Sequence, residues 1–476
     1  MVNKHTDSLF QVMIQRRLAL VLNKYPLVIK IAHAINALGG RTLLVGGAPR
    51  DLVLGVAVKD LDIEVHGLSI ESVETVLRSY GPVSTVGKSF GVLRIHGLDV
   101  DWSLPRSDNA GRKPQVTIDP SMSLKQAFMR RDVTMNAMGI DVLTVEFIDF
   151  FGGLQDIQDK VLRVPNEHLF KEDPLRFYRV MHFVGRFEMV PDEQLNRLCA
   201  SMDISAVSVE RIEQEFEKLL LKSRRPSLGI RWLQERGRLV DIIPELAVLH
   251  DVPQDKQWHP EGNVFEHSMQ ALDACAHIES GHDDNDTHKK LISMYAALLH
   301  DIGKATTTQY SDGRWRSVGH EHAGAVLVGQ VLRRITYKKD LVTGVKVLVK
   351  YHMVPMQLIA SDAPQASYKR LAVKLAPYAT LHMLGLLCLA DKRGRNPVCQ
   401  EPLKDDVPEV TLFVQCCQKA QVLIAVEKPL LLGRDLVGLV ASGPEMGRLL
   451  KCAYNIQLDE GVTDKELLKK RVLALV

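Results

Sequence analysis

Leu43-Leu44-Val45-Gly46-Gly47-Ala48-Pro49-Arg50-Asp51, followed shortly by Lys59-Asp60-Leu61-Asp62-Ile63, is the stretch that decides the fold of the N-terminal part of the chain. The first run reads as strand, tight turn and helix start. Its glycines allow close backbone approach to a phosphate, and Pro49 suits a first helical turn. In the second run, strand alternation puts Asp60 and Asp62 on one face. Exposed neighbouring carboxylates repel each other unless a cation lies between them, so a hard divalent metal is expected there, magnesium above all. An Asp-x-Asp met alone is more often a solvated strand end; the glycine turn beside it reverses that preference. Asp101, in Leu98-Asp99-Val100-Asp101-Trp102, offers a third carboxylate from a neighbouring strand, with Asp99 on the same face as its rival. Metal ions held by such a set would lower the pKa of an attacking hydroxyl and clamp a departing pyrophosphate.

Around this stretch the pattern predicts an α+β region with a helix over 28–38 and strands over 42–45, 61–65, 92–95, 98–102 and 145–149. This is expected to be the only sheet-forming part. From His168 onward the periodicity is helical, for example over 174–187, 209–221 and 227–236, and the polar run GHDDNDTH at 281–288 reads as a solvated loop.

The chain has 476 residues, 46% of them hydrophobic, enough for more than one core. Sixty Lys and Arg barely exceed 57 Asp and Glu, so a nucleic-acid partner would need its basic contacts gathered locally. Seven scattered cysteines without a CxxC spacing predict free thiols and exclude a zinc ribbon. No apolar run approaches the ~18 residues of a membrane span, and a cytoplasmic protein is expected.

The segment LLVGGAPRDLVLGVAVKDLDIEVHG resembles the head-domain motif of tRNA nucleotidyltransferases (CCA-adding enzymes) and bacterial poly(A) polymerases, in the polymerase β superfamily. Further segments match in order: VDWSLPR at 100–106, RRDVTMNAM at 130–138, DFFGGL at 149–154 and FKEDPLR at 170–176. The resemblance implies a polymerase β-like head with Asp60, Asp62 and Asp101 as catalytic carboxylates. It further implies that Gly47, Arg50 and Arg131 contact the triphosphate, with Asp132 and Asn136 of the same motif at the nucleotide. Asp173 and Arg176, with Arg179 one turn on, are implied to choose the base from a neck helix. The chemistry fits, because a carboxylate accepts from the exocyclic amine of cytosine or adenine while an arginine donates to their ring acceptors. CTP and ATP are therefore expected, and GTP and UTP are not. The chain departs from the family pattern at His182, where a third neck arginine is usual, and at Ala127, where an acid is usual.

A second constellation lies downstream: His267 in PEGNVFEHS, His300 and Asp301 in LLHDIGK, and Asp391 in LADKRGR. Imidazoles and carboxylates from separate helices suit a transition metal such as Ni2+ or Mn2+. WHPEGNVFEHS and ALLHDIGKA resemble the HD phosphohydrolase superfamily, and His320, His322 and His352 are candidates for second ligands or phosphate donors. Such a domain follows the neck in the multifunctional type of CCA-adding enzyme, which implies phosphatase and 2′,3′-cyclic phosphodiesterase activity. The expected division is a head over 1–165, a helical neck over 166–240, an HD-type domain over 241–400 and a helical, RNA-contacting tail over 401–476. The leading expectation is addition of CCA to tRNA 3′ ends from CTP and ATP with release of pyrophosphate. The rivals are a poly(A) polymerase and an HD phosphohydrolase whose head only binds nucleotide or RNA. The HD set, and the absence of a strongly basic extension after Lys469-Lys470-Arg471, favour the first. Oligomeric state is left open.

Overall fold

The computed structural model describes residues 4–86, 91–108, 116–280 and 286–475. The chain divides into two compact units, Met1–Val207 and Ser208–Val476.

In the first unit two helices, Lys4–Leu22 and Pro26–Ala37, precede the sheet. Ile14, Leu18 and Leu22 on the first, and Val28, Ile31 and Ile35 on the second, are buried at helical spacing in one apolar core. The second helix was expected two residues later; Pro26 starts it, since proline loses nothing at a position whose N–H has no helical partner. Among the described residues a seven-stranded sheet runs in the order Val83–Val86, Val92–Ile95, Val100–Ser103, Leu61–His66, Arg41–Val45, Met138–Asp141, Phe147–Asp149. Its Leu61–His66 and Val100–Ser103 pair is parallel and its other pairs are antiparallel, which makes the sheet mixed. Leu43 and Val45 face one way and Leu44 the other, and both sets are buried in apolar clusters, so the central strand is covered on both faces.

The second unit is built mainly of helices. Val264–Ser280 packs against Thr287–Leu299 and Leu381–Arg393, and His320–Leu332 against Lys339–Tyr351. The expectation that everything after the head is helical needs correction. Gln309–Ser311 and Arg314–Arg316 form an antiparallel hairpin, and Val161–Leu162 pairs with Val190–Pro191 in the first unit. The hairpin turns on Asp312 and Gly313, at φ 50° and 77°, the left-handed pair that suits a two-residue hairpin loop. Short strands of this kind leave too few alternations for periodicity to register. Of the predicted loop at 281–288, residues 281–285 lie outside the described residues. Asp286 caps the following helix, whose first residues are Thr287 and His288. No single helix among the described residues is long and apolar enough to cross a membrane.

Candidate functional site

The head site grows from the two parallel strands. Their register sets Asp62 opposite Asp101, and Asp99 precedes the paired segment, so Asp101 is the carboxylate alongside the Asp-x-Asp pair. Gly46, at φ 73°, ends the neighbouring strand and caps the helix Gly47–Leu54. A Cβ at Gly46 would lie 3.0 Å from Asp62 Oδ2, so the turn passes over the carboxylate only as glycine. A cavity of about 380 Å³ gathers Asp62 and Asp101 with Arg131, Asp173 and Arg176, and adds Glu64, Arg106 and Arg130.

Burial pushes Asp62 above the usual carboxylate range; Arg131 opposes the shift, and repulsion from Asp101 and Asp60 adds to it. A cation held by these side chains would remove that repulsion, which is the fit expected of a metal-binding set. Asp60 is exposed one residue ahead of the strand, and Asp101 is drawn to Arg94 Nε at 2.6 Å. Glu64 continues the alternation of Asp60 and Asp62 and could have been read from it. Burial raises Glu64, but the His66 hydrogen bond and the nearby Arg131 outweigh it and hold the carboxylate low. Arg131 Nη2 donates to Glu64 Oε2 at 3.0 Å, which fixes the guanidinium beside Asp62.

The other predicted nucleotide residues do not line this cavity. Arg50 Nη1 donates to Asn136 Oδ1 at 2.6 Å, Asn136 Nδ2 to Asp132 Oδ1 at 2.9 Å, and Arg179 Nε to Asp132 Oδ2 at 2.5 Å. This chain ties the glycine-turn helix to the RRD segment and the helix Leu175–Phe187. Gly47 lies under Arg50, whose Nη2 is 3.0 Å from the position of a Gly47 Cβ. Arg176 donates to the carbonyls of Leu169 at 2.9 Å and Arg130 at 2.5 Å, and Asp173 Oδ1 accepts the Leu175 amide at 3.1 Å. His182 is buried with its ring 4.3 Å from that of Phe183, and Ala127 lines the cavity.

The second site lies wholly in the helical unit. Among the described residues, the clusters of three metal-ligating side chains within 4.8 Å of one another are His267–His300–Asp391, Asp301–His320–His352 and His259–Glu261–His267. The sequence placed His267, His300, Asp301 and Asp391 together, and of its three further candidates the fold brings His320 and His352 beside Asp301. His322 is left on the surface beside Glu321, 2.9 Å away. Asp301 faces both groups: Oδ2 lies 3.3 Å from His300 Nε2 and 3.5 Å from His267 Nε2, and Oδ1 lies 3.2 Å from His320 Nε2. A Cβ at Gly303 would collide with the His320 carbonyl, so glycine in the HDIGK run lets the His320 helix close on Asp301.

Each ligand histidine is oriented by its other nitrogen. His300, His320 and His352 face the carbonyls of Ala297, Ser317 and Val349 through Nδ1 at 2.9, 2.8 and 2.7 Å. These are donor positions, so every Nε2 presents a lone pair. His267 Nε2 then meets His300 Nε2 at 3.1 Å, and His320 Nε2 meets His352 Nε2 at 3.2 Å. Facing lone pairs repel unless a proton or metal lies between them, so the donor set fits a metal ion. Burial would lower His267, but Asp391 and Glu261 outweigh it and push it up to about 9, marking where positive charge is wanted. Burial and the neighbouring His300 take His352 down to about 4.

Glu261 was not singled out from the sequence, although it lies in the quoted WHPEGNVFEHS run. Its Oε1 is 2.7 Å from His267 Nδ1 and 2.9 Å from His259 Nδ1, the arrangement by which a carboxylate orients a metal-ligating imidazole. Lys304 Nζ sits 2.7 Å from Asp301 and Arg395 Nη2 2.8 Å from Asp391, balancing the buried carboxylates.

Two family models match along the chain. Residues 42–163 match the model of the poly A polymerase head domain and residues 264–393 that of the HD domain. The multifunctional CCA protein of Pasteurella multocida is 32% identical over 366 residues, 74% of this chain and 84% of that protein. The Thermotoga maritima CCA-adding enzyme complexed with tRNA superposes with a TM-score of 0.57 at 20% identity, covering 97% of this chain and 98% of that one. The Bacillus stearothermophilus CCA-adding enzyme in complex with CTP gives a TM-score of 0.60 at 19% identity, covering 93% and 96%. With its poly A polymerase-type head and its HD domain, the chain belongs to the family of multifunctional CCA proteins.

Proposed function

We propose that the head adds CCA to tRNA 3′ ends, the RNA 3′-hydroxyl attacking the α-phosphate of CTP and then ATP while pyrophosphate leaves. The observation that carries this reading is the parallel register of Asp62 and Asp101 in a cavity shared with Arg131, Asp173 and Arg176. Asp60, Asp62 and Asp101 would hold magnesium, which when bound supplies a lowered pKa for the attacking hydroxyl and charge neutralisation for the leaving group. Arg131 receives the triphosphate, since guanidinium forks suit phosphate oxygens. The chain Arg50–Asn136–Asp132–Arg179 braces the glycine turn against the neck helix and keeps both at a set distance from the base. We assign the finer division into head, neck, HD-type region and tail, with limits at 165, 240 and 400, to these roles, and a cytoplasmic setting to the enzyme.

Incubation with magnesium, a tRNA ending at its discriminator base and each labelled nucleotide tests the reading. Two cytidylates followed by one adenylate are expected; long adenylate tails would indicate a poly(A) polymerase, and no incorporation would refute nucleotidyl transfer. Asp173 accepts from the base amine, so Asp173→Ala should raise misincorporation of UTP relative to CTP by about 5- to 150-fold, the equivalent of roughly 1–3 kcal/mol for a bidentate contact. Unaltered ratios of kcat/KM would remove Asp173 from base choice.

The helical centre hydrolyses phosphate esters as a second activity. His267, His300, Asp301 and Asp391 would hold one transition metal such as Mn2+ or Ni2+, with Asp301, His320 and His352 available to a second, and metal there supplies a water nucleophile at neutral pH. Lys304 and Arg395 keep the carboxylates ionised, and Glu261 sets the His267 ring. Glu261→Gln should weaken Mn2+ binding by roughly 10- to 100-fold. Calorimetric titration checks this, and an affinity equal to that of the parent chain would show that Glu261 only packs.

A further inference from the structure

We propose that Arg94 is a positioning residue of the head that competes with metal for Asp101, so that a divalent cation completes the carboxylate set only by taking Asp101 away from a guanidinium. The proposal rests on the reading of Asp60, Asp62 and Asp101 as the metal-binding set. Strand register brings Arg94 there. Val92–Ile95 and Val100–Ser103 are antiparallel, with Val92 opposite Ser103 and Leu93 opposite Trp102, so the next residues along, Arg94 and Asp101, face each other across the pair. Opposite charges at such positions attract. Arg94 Nε donates to Asp101 Oδ1 at 2.6 Å, and Nη2 lies 2.6 Å from the same oxygen.

The geometry is that of charge pairing rather than of orientation. A guanidinium that fixes the plane of a carboxylate engages both oxygens, one nitrogen to each. Here both nitrogens converge on Oδ1, and the Arg94 side chain makes no second hydrogen bond or ion pair among the described residues. Arg131, the other cation beside these aspartates, is anchored differently: it is tied to Glu64, a carboxylate outside the set. Arg94 has only Asp101. The guanidinium also attracts Asp60 and Asp99, and it opposes the rise of Asp62, so it faces the whole acidic group. A metal ion entering that group meets a like charge as well as a rival for one of its ligands. The side chains of Arg94 and Asp101 are 42% and 32% exposed, so water screens their attraction to that of a surface pair. Such a pull is too weak to keep out a divalent cation bound by three carboxylates, but it subtracts from the affinity of that cation. The pair thus sets how much free metal the head requires.

The full chain is titrated with Tb3+, a hard cation that favours oxygen ligands over imidazoles, with luminescence excited through tryptophan, and Mg2+ is used to displace it. Asp62→Asn identifies the part of the signal that belongs to the head. Arg94→Gln keeps a hydrogen-bond donor and loses the charge. It is expected to raise the affinity of the head for Mg2+ by roughly 2- to 10-fold, through loss of the rival pair and of the like-charge repulsion, whereas Arg94→Lys should stay within about twofold of the parent. Because the gain arises from charge, it should shrink between about 0.1 M and about 1 M salt, where the screening length falls from ~10 Å to ~3 Å. The Mg2+ concentration that gives half-maximal CTP addition should fall in the same proportion. A loss of affinity of about tenfold or more in Arg94→Gln would show that Arg94 instead orients Asp101 for the metal. Equal affinity in the parent and Arg94→Gln would reduce the pair to a surface contact, and either result overturns the proposal. A parent signal left intact by Asp62→Asn would overturn the metal reading of the head itself, and the role of Arg94 with it.

Discussion

Asp62→Asn is expected to lower nucleotide addition by on the order of 1,000-fold, several kcal/mol of transition-state stabilisation, while metal-dependent ester hydrolysis continues. Asparagine keeps the shape of the side chain but loses the charge that Asp101 and Asp60 share with it. The folded protein should not suffer. Burial, with repulsion from Asp101 and Asp60, raises the Asp62 pKa despite Arg131, so the folded state disfavours the charged form. An acid whose folded pKa is raised above its unfolded value costs stability once the pH passes the unfolded value, and a neutral amide removes that cost. The variant should therefore melt at or slightly above the temperature of the parent at pH 7, an exchange of stability against activity. Single-turnover incorporation of CTP, with a melting curve beside it, checks both parts. Residual addition within tenfold of the parent would take Asp62 out of the reaction.

Asp301→Asn should have an effect of similar size on the other centre. Its two oxygens face His300 and His267 on one side and His320 on the other, so one substitution damages both ligand groups. Mn2+ affinity should fall by on the order of 1,000-fold or more, beyond the 10- to 100-fold typical of a supporting residue. The side chain is 3% exposed and contacts Lys304 at 2.7 Å, so its loss leaves a buried ammonium short of a counter-charge and should cost about 3–5 kcal/mol without metal. Mn2+ should raise the melting temperature of the parent and leave that of the variant unmoved. The same centre should bind metal less well in acid. Its metal-free form holds a proton on His267 up to about pH 9, so binding below that value displaces it. Affinity should then fall by about tenfold for each pH unit lost per proton displaced. A metal-induced shift in melting for Asp301→Asn equal to that of the parent would contradict the shared-carboxylate arrangement.

The Glu261→Gln effect is expected to be smaller because Glu261 acts through the His267 ring. That difference in kind also marks how far a sequence can be read. His267, His300, Asp301 and Asp391 carry recognisable local surroundings. Glu261 is one acid among 57 Asp and Glu until a fold buries it between two imidazoles. His320 and His352 could not be separated from His322 by composition, since all three lie near helix ends. Orientation divides them: two turn Nε2 toward Asp301 and each other, and the third points to Glu321 at the surface.

By itself the sequence determined the glycine turn, the Asp60–Asp62 alternation, the helical character of most of the second unit and the chemistry of the HD run. Each of these is encoded within about ten residues by backbone preference and side-chain period. Tertiary structure decided the rest. It chose Asp101 over Asp99 through strand register, linked Asp132, Asn136 and Arg179 in one hydrogen-bonded brace, joined two histidine groups through Asp301, and inserted a hairpin that carries Trp315 to the cavity beside them. Those outcomes depend on which distant segments share a surface. Pairing and packing between segments settle that, and no local window of sequence contains them.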